Sequence, residues 1–271
     1  MRIAQAKILH KLLLDSHHVY FYLSNPFDAL PLPGQFIAVK VGGCFLRRPF
    51  SIAGCNEVFP EGKRTRNNDG SVISLLIKNI GKGTDLLCKK DVGDELDILG
   101  PLGNPFPMKP AWKKIWLAGG GTGIAPLLFL AGTLKDDRKE VSLFYGARTR
   151  RLIFSILLKN VCGPIHCATD DGSHRFKGTL PRLLASHLKK GERPDVLMAG
   201  GPEPMLKEIT AACRHADIPC YVTVENRMAC GTGVCFGCVV KIQNGKNWEY
   251  LRVCKDGPVF PGESVVWEDE G

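Results

Sequence analysis

The sequence has no long hydrophobic run. Its longest apolar stretch, residues 124–131, is interrupted by Pro126 and falls far short of the roughly 20 residues that span a bilayer. No membrane span is therefore expected. Met1-Arg2-Ile3 leads straight into a polar-spotted segment, so no export signal is expected either. Internal repeats and low-complexity tracts are also missing, which excludes solenoid and fibrous architectures. Charged residues are neither scarce nor clustered. Lys and Arg number 36 against 27 Asp and Glu, but the excess lies in scattered pairs such as Arg47-Arg48, Lys89-Lys90, Lys113-Lys114 and Lys189-Lys190. That dispersal argues against nucleic acid, which requires a basic stripe interleaved with aromatics. Phosphate-bearing cofactors or an acidic protein partner account for it more simply.

What is present is ordinary globular composition, 44% hydrophobic and 23% charged, which excludes extensive disorder. A length of 271 residues exceeds one average core and suits two compact domains with a small appendage. Eleven cysteines without an export signal read as thiols or metal ligands in a cytoplasmic protein, because the cytosol keeps thiols reduced.

The texture changes along the chain. Short apolar runs at 19–23 (VYFYL), 35–41 (QFIAVKV) and 72–80 (VISLLIKNI) read as strands of an antiparallel β-barrel or sandwich. Residues 60–70 hold no apolar side chain and read as an exposed hairpin loop. From Lys113 onward, buried strands alternate with helices: KIWLAGG, IAPLLFLAGTL, VSLFYGAR, VLMAGG and EPMLKEITAAC. That alternation implies an α/β domain with a doubly wound parallel sheet. YVTVENRM reads as a last strand, after which a cysteine-rich tail begins. The expected domains are 1–108, 109–222 and 223–271.

Cys230, Cys235, Cys238 and Cys254 follow the pattern C-x4-C-x2-C-x15-C. The first three have plant-type ferredoxin spacing, which points to a [2Fe–2S] cluster as the metal centre. Four thiolates make such a cluster anionic, so its loop must wrap closely and aim N–H groups at sulfur. Gly231, Gly233 and Gly237 permit that path, and Arg227, Arg252 and Lys255 offset charge. A structural zinc site normally uses C-x2-C pairs on both sides, and unrelated thiols would show no such spacing. The remaining seven cysteines lack ligand logic and read as core or incidental thiols.

In LAGGGTGIAPLLFLA, small residues including Gly120, Gly121, Thr122 and Gly123 join a buried strand to a helix, where N–H groups and the helix dipole can hold a pyrophosphate. The acidic residue about twenty positions on, which marks a Rossmann dehydrogenase, is absent. Arg148, Arg150 and Arg151 stand either against an extra phosphate, as in NADP, or in solvent; the solvated reading is favoured.

Three segments resemble the ferredoxin reductase superfamily. LRRPFSIAG, after PGQF and before GKGT, is similar to its flavin signature R-x-[YF]-[ST]. Alone, R-P-F-S fits an ordinary strand; its neighbours favour flavin. The resemblance implies that Arg48 pairs with flavin phosphate as a planar fork. It gives Ser51 the catalytic position at the reactive edge of the ring, with Pro49 and Phe50 flanking. Leu76, Ile77 and Lys78 would lie against the ring, and Gly83 with Thr84 would form a second phosphate loop. GGGTGIAPL, FYGART and MAGGPEPML resemble the nicotinamide module, with Ala199 where many reductases have a redox cysteine.

The string ENRMACGTGVCFGC with LRVCKDGPVF resembles the electron-transfer subunit of type B dihydroorotate dehydrogenases, and the likeness runs from PGQF to GPVF. It departs from the family at Ile77-Lys78, where Tyr-Arg is common, and at Phe50, where an aliphatic residue is usual. The resemblance implies FAD in the barrel, NAD on the glycine turn and a [2Fe–2S] cluster in the tail. It also implies a separate FMN-containing catalytic subunit that oxidises dihydroorotate, in a heterotetramer serving pyrimidine biosynthesis. The face around the cluster is the expected docking surface. The reductase component of a sulfhydrogenase, bifurcating transhydrogenase or oxygenase is the competing expectation. A redox-sensing or structural protein would tolerate damage to Arg48, Ser51 or the glycine turn, and all are intact.

Overall fold

The computed structural model describes residues 1–56, 71–135 and 139–267. The loop expected at 60–70 lies outside them. Six strands form a closed antiparallel barrel: β1 (Arg2–Leu13), β2 (His18–Ser24), β3 (Phe36–Val39), β4 (Arg48–Cys55), β5 (Val72–Lys78) and β6 (Glu95–Leu102), in the order β1-β2-β5-β4-β3-β6. Alternation along each strand sends one set of side chains inward. Ile8, Phe21, Ile37, Ile52, Ile73, Leu75, Ile77 and Ile98 fill the barrel. Helix α1 (Lys82–Cys88) follows β5.

The second domain begins with β7 (Lys114–Gly120), a single 3-10 turn, and α2 (Ala125–Thr133). β8 (Glu140–Ala147), β9 (Ile165–Thr169), β10 (Phe176–Lys177), α3 (Leu180–Lys189), β11 (Val196–Gly200), α4 (Glu203–His215) and β12 (Cys220–Thr223) complete the alternation. The sheet order is β10-β9-β8-β7-β11-β12, with parallel pairing throughout these six strands. The chain steps outward from β7 to β10 and then returns to the other side of β7 with β11. The two directions diverge where β7 and β11 end, and such a switch point opens a crevice at the strand carboxyl ends.

Helix α2 has no polar face: residues 125–131 are all buried. It is apolar all round because it is covered on both sides. Ile124, Leu127 and Leu130 share a core with Leu117 and Leu143 of the sheet and with Tyr20, Tyr22 and Leu76 on the outside of the barrel. Phe129 reaches the barrel interior cluster. This helix fixes the barrel against the sheet and thereby sets the cleft between them.

The tail departs from expectation. β12 stops at Thr223, and Glu225, Asn226, Arg227 and Met228 form no strand. The reason is local. Val224 donates its N–H to the Pro258 carbonyl at 2.9 Å, and the Asn226 amide donates to the Val239 carbonyl at 2.8 Å, so the chain peels away toward the tail. Three strands follow: β13 (Val239–Asn244) and β14 (Asn247–Arg252) form a hairpin, and β15 (Val259–Pro261) adds antiparallel to β12. The tail thus supplies the seventh strand of the nicotinamide-type sheet.

Candidate functional site

Three cavities meet where the barrel, the switch point and the tail converge. The first holds about 300 Å³ and is lined by Arg48, Pro49, Phe50 and Ser51 of β4, Leu76 and Lys78 of β5, Thr84, Thr122 and the tail residues Glu225, Asn226, Met228 and Pro258. Lys78 and Thr122 also line the other two, of about 570 and 240 Å³. The flavin-type and nicotinamide-type residues therefore share one continuous cleft.

Arg48 is held by its surroundings. Its Nη1 donates to the Leu46 carbonyl at 2.7 Å, and a Cβ on Gly83 would sit 2.9 Å from its Nε. Glycine at 83 is thus the space in which the guanidinium lies. Thr84 closes the same turn: its hydroxyl accepts the N–H groups of Ile80 and Gly81 at 2.9 and 3.1 Å. Ile77 can meet the cleft only through its main chain. Its side chain is fully buried inside the barrel, while Leu76 and Lys78 line the cleft. The alternation of β5 turns the Ile77 side chain to the opposite face from those of Leu76 and Lys78.

The glycine turn is packed against the start of α4. A Cβ on Gly123 would fall onto the backbone of Gly200 and Gly201, so the two chain segments touch main chain to main chain. Gly120, Gly121 and Thr122 line both nicotinamide-side cavities, and Gly123 lines the smaller. The larger cavity extends past Arg148, Asp170 and Leu180 and is bounded on the barrel side by Asp15, His17 and His18. Arg148 thus faces the cleft, whereas Arg150 and Arg151 are exposed and outside it. The Asp15 carboxylate accepts the N–H groups of His17 and His18 and bonds the His18 ring at 2.9 Å. Burial opposes its ionisation, but these bonds hold it below the usual carboxylate range.

The four motif cysteines gather in two couples, Cys230 with Cys235 and Cys238 with Cys254. Cys238 and Cys254 are 2% and 3% exposed, and Cys235 faces solvent. Backbone N–H groups of Thr232, Gly237 and Cys254 donate to the sulfurs of Cys230, Cys235 and Cys238 at 3.3, 3.4 and 3.4 Å. Burial opposes ionisation of Cys230, yet bonds with Thr232 and Cys235 bring its thiol down to about 5. Burial and the neighbouring Cys238 push Cys254 up to about 12. Among the described residues, no three His, Cys, Asp or Glu converge as a single-ion site would require. Two couples with N–H groups aimed at sulfur fit a two-iron cluster, in which each iron takes two thiolates, better than one tetrahedral ion.

The loop is clamped. Arg252 donates through its backbone N–H and Nε to Asp256 Oδ2, each at 2.8 Å, and through Nη1 to the Gly233 carbonyl at 3.1 Å. Its guanidinium lies 4.9 Å from the Phe236 ring centre, and Gly233 adopts φ +84° beside Lys255. Cys238 and Cys254 pack in one core with Phe36, Ala38, Leu99 and Leu102 of the barrel. The other cysteines show no comparable grouping, although Cys213 and Cys220 are buried within hydrogen-bonding reach of each other.

Residues 225–266 match the family described as the iron-sulfur cluster binding domain of dihydroorotate dehydrogenase B. The dihydroorotate dehydrogenase B (NAD+) electron transfer subunit of Desulforamulus reducens is 36% identical over 275 residues, covering 98% of this chain and 99% of that one. Its counterpart in Bacillus caldolyticus is 40% identical over 239 residues, 86% of each chain. Among solved structures, an NADH-dependent reduced ferredoxin-NADP oxidoreductase studied for flavin-based electron bifurcation superposes with TM-score 0.80 at 29% identity, covering 97% of this chain and 90% of its own. A Neisseria gonorrhoeae ferredoxin NADP+ reductase, solved with FAD and NADP, shares the fold at TM-score 0.62 and 19% identity, over 84% and 95% of the two chains.

Proposed function

Because this chain belongs to the electron transfer subunits of NAD-dependent dihydroorotate dehydrogenase B, we propose that it carries electrons from an FMN-containing catalytic subunit through a [2Fe–2S] cluster and FAD to NAD. The observation that carries this reading is the shared wall between the flavin cavity and the cluster loop. Met228 lines the cavity two positions before Cys230, and Pro258 lines it four positions after Cys254. When bound, the flavin exchanges electrons with nicotinamide in pairs and the cluster takes them singly.

The residues have separable tasks. Arg48, packed on Gly83, offers a fixed fork to flavin phosphate. Ser51 presents a hydroxyl in the ring cavity, with Pro49, Phe50 and Leu76 as its apolar walls. Gly120, Gly121, Thr122 and Gly123 receive the nicotinamide cofactor from the switch-point side. Cys230, Cys235, Cys238 and Cys254 ligate the iron, and Arg252 holds their loop closed. Val234 and Phe236, 79% and 57% exposed at the loop tip, form the centre of the docking face. Among the described residues no helix is long and apolar enough to cross a membrane, and we place the complex in the cytoplasm.

The test is to purify the chain with and without a co-expressed FMN subunit, extract the cofactors and assay dihydroorotate-dependent NAD reduction. FAD, iron and sulfide in the single chain, with activity only in the complex, are expected. A colourless chain, or one holding only zinc, refutes the reading. A coloured chain inactive with every such FMN subunit favours the second reading, a bifurcating reductase component, which the TM-score of 0.80 supports.

A further inference from the structure

Three residues of the cysteine loop have a left-handed backbone: Gly231 at φ +72°, Gly233 at +84° and Phe236 at +55°. Glycine takes that conformation freely, whereas a residue with a Cβ is strained by it. The loop therefore relies on glycine twice and keeps a phenylalanine at the third such position, between Cys235 and Cys238. Core packing does not explain the choice, because Phe236 is 57% exposed. Strain of this kind persists at functional sites, where the surrounding structure enforces it.

The ring of Phe236 lies against Arg252, whose guanidinium carbon is 4.9 Å from the ring centre. The edges of that guanidinium are already taken. Nε and Nη2 donate to the two carboxylate oxygens of Asp256 at 2.8 and 3.1 Å, and Nη1 donates to the Gly233 carbonyl at 3.1 Å. Bonds in the plane of the fork leave its flat face without a partner. An aromatic face attracts a cation from that direction, and more strongly once water is excluded. The Arg252 side chain is only 22% exposed, so its charge is largely withdrawn from solvent. With Asp256 it forms a dipole whose cationic member acts on the sulfurs of Cys238 and Cys254. Arg227 and Lys255, the other cations of the loop, are exposed. Arg252 is thus the positive charge held in a fixed place, and Phe236 covers its face.

We propose that Phe236 is a positioning residue for electron transfer: its ring holds the Arg252 guanidinium against the cysteine loop, so that a fixed positive charge favours uptake of an electron there. Net charge, solvent exposure and hydrogen bonding around a cluster set its reduction potential, and a cation held nearby stabilises the reduced, more negative form. The strain at Phe236 is the cost of keeping an aromatic face where glycine would satisfy the backbone. The inference rests on a [2Fe–2S] cluster occupying this loop, as proposed above.

The test compares the full chain with Phe236→Leu, which removes the ring face and keeps an apolar side chain, and with Phe236→Tyr, which keeps the face. Redox titration with EPR detection reads the cluster's midpoint potential, and visible absorbance reads its half-life in air. Phe236→Leu should lower the potential and shorten the half-life about two- to fivefold, the factor by which a partly exposed cation–π contact favours the closed loop. Phe236→Tyr should restore both. The potential decides. Phe236→Leu at the wild-type potential overturns the proposal whatever its half-life, because a ring kept only to anchor a partner or to stiffen the loop leaves the potential unchanged. A Tyr variant that shares the Leu variant's lowered potential overturns it equally. Should the Leu variant hold no cluster, the Tyr variant alone decides: the wild-type potential supports the role and a lowered one overturns it. A wild-type chain that assembles no iron–sulfur cluster refutes the functional reading itself, whereas failure confined to the variants refutes only the role of Phe236.

Discussion

Gly123→Ala is the sharpest perturbation the cleft allows. The added methyl would enter the space already taken by the Gly200–Gly201 main chain, and ordinary contact begins only near 3.4 Å. No rotamer relieves a clash between two backbones, so the turn must withdraw by about 1 Å. Overpacking of this kind costs about 1–3 kcal/mol, and each kcal/mol lowers the unfolding temperature of a chain this size by roughly 2–4 °C. The functional cost is larger. A displacement of about 1 Å in a group that orients a substrate can cost about a hundredfold in rate, near 2.7 kcal/mol of barrier. Gly123→Ala should therefore lower kcat/KM for NADH-dependent reduction of an artificial acceptor about a hundredfold. Flavin and cluster absorption should stay intact, because Gly123 lines only the smaller nicotinamide-side pocket. Gly132→Ala is the internal control. Gly132 lies near the end of α2 with nothing within 4 Å of its added Cβ, and there the substitution should stabilise by about 0.4–1 kcal/mol. Stopped-flow kinetics and thermal melts of both variants decide the matter. A Gly123→Ala chain with wild-type NADH kinetics and melting temperature would refute the main-chain contact as a determinant of the site.

Other expectations follow from the same geometry. Cys238→Ser should abolish the visible absorption of the cluster while sparing bound flavin, read from one spectrum before and after flavin extraction. Arg48→Lys replaces a planar fork by a point charge and should weaken FAD retention about ten- to a hundredfold, measured by apoprotein titration. Arg252→Ala removes the clamp on the Gly233 carbonyl and on Asp256, and should shorten the half-life of cluster absorbance in air. Asp195 accepts the backbone N–H groups of Lys114 and Lys113, which hold its carboxyl below the ordinary range. A depressed carboxylate contributes stability above its unfolded pKa and loses it as pH falls through the folded one. Melting temperature should therefore drop on the acid side less steeply in Asp195→Asn than in the wild type.

Much of this organisation is legible in sequence because each piece carries local chemistry. The β/α alternation from Lys113 needs only hydrophobic period and turn residues, and the cluster needs only spacing. At Ile77 the motif runs through a strand of period two, so Leu76 and Lys78 line the cavity while the side chain between them points into the barrel. The β13–β14 hairpin does have a signal, Asn244-Gly245 between two runs that suit strands, with Gly245 at φ +60°. β15 has almost none. Val259–Pro261 is three residues long, ends in proline, and becomes a strand only because β12 presents a partner.

The pairing of β15 with β12 has a consequence for how the protein is made. Thr223 and Val259 stand opposite each other in the sheet, so everything between them is an excursion whose two ends are fastened together. A ribosome releases β12 before β15. Until β15 emerges, β12 offers a bare strand edge, the kind of surface on which unfinished chains pair with one another. Closing that edge also draws the four cysteines' loop shut. A truncated or stalled chain should thus lose iron and solubility together, and completion of the sheet marks the moment at which a newly made chain becomes both safe to accumulate and able to conduct.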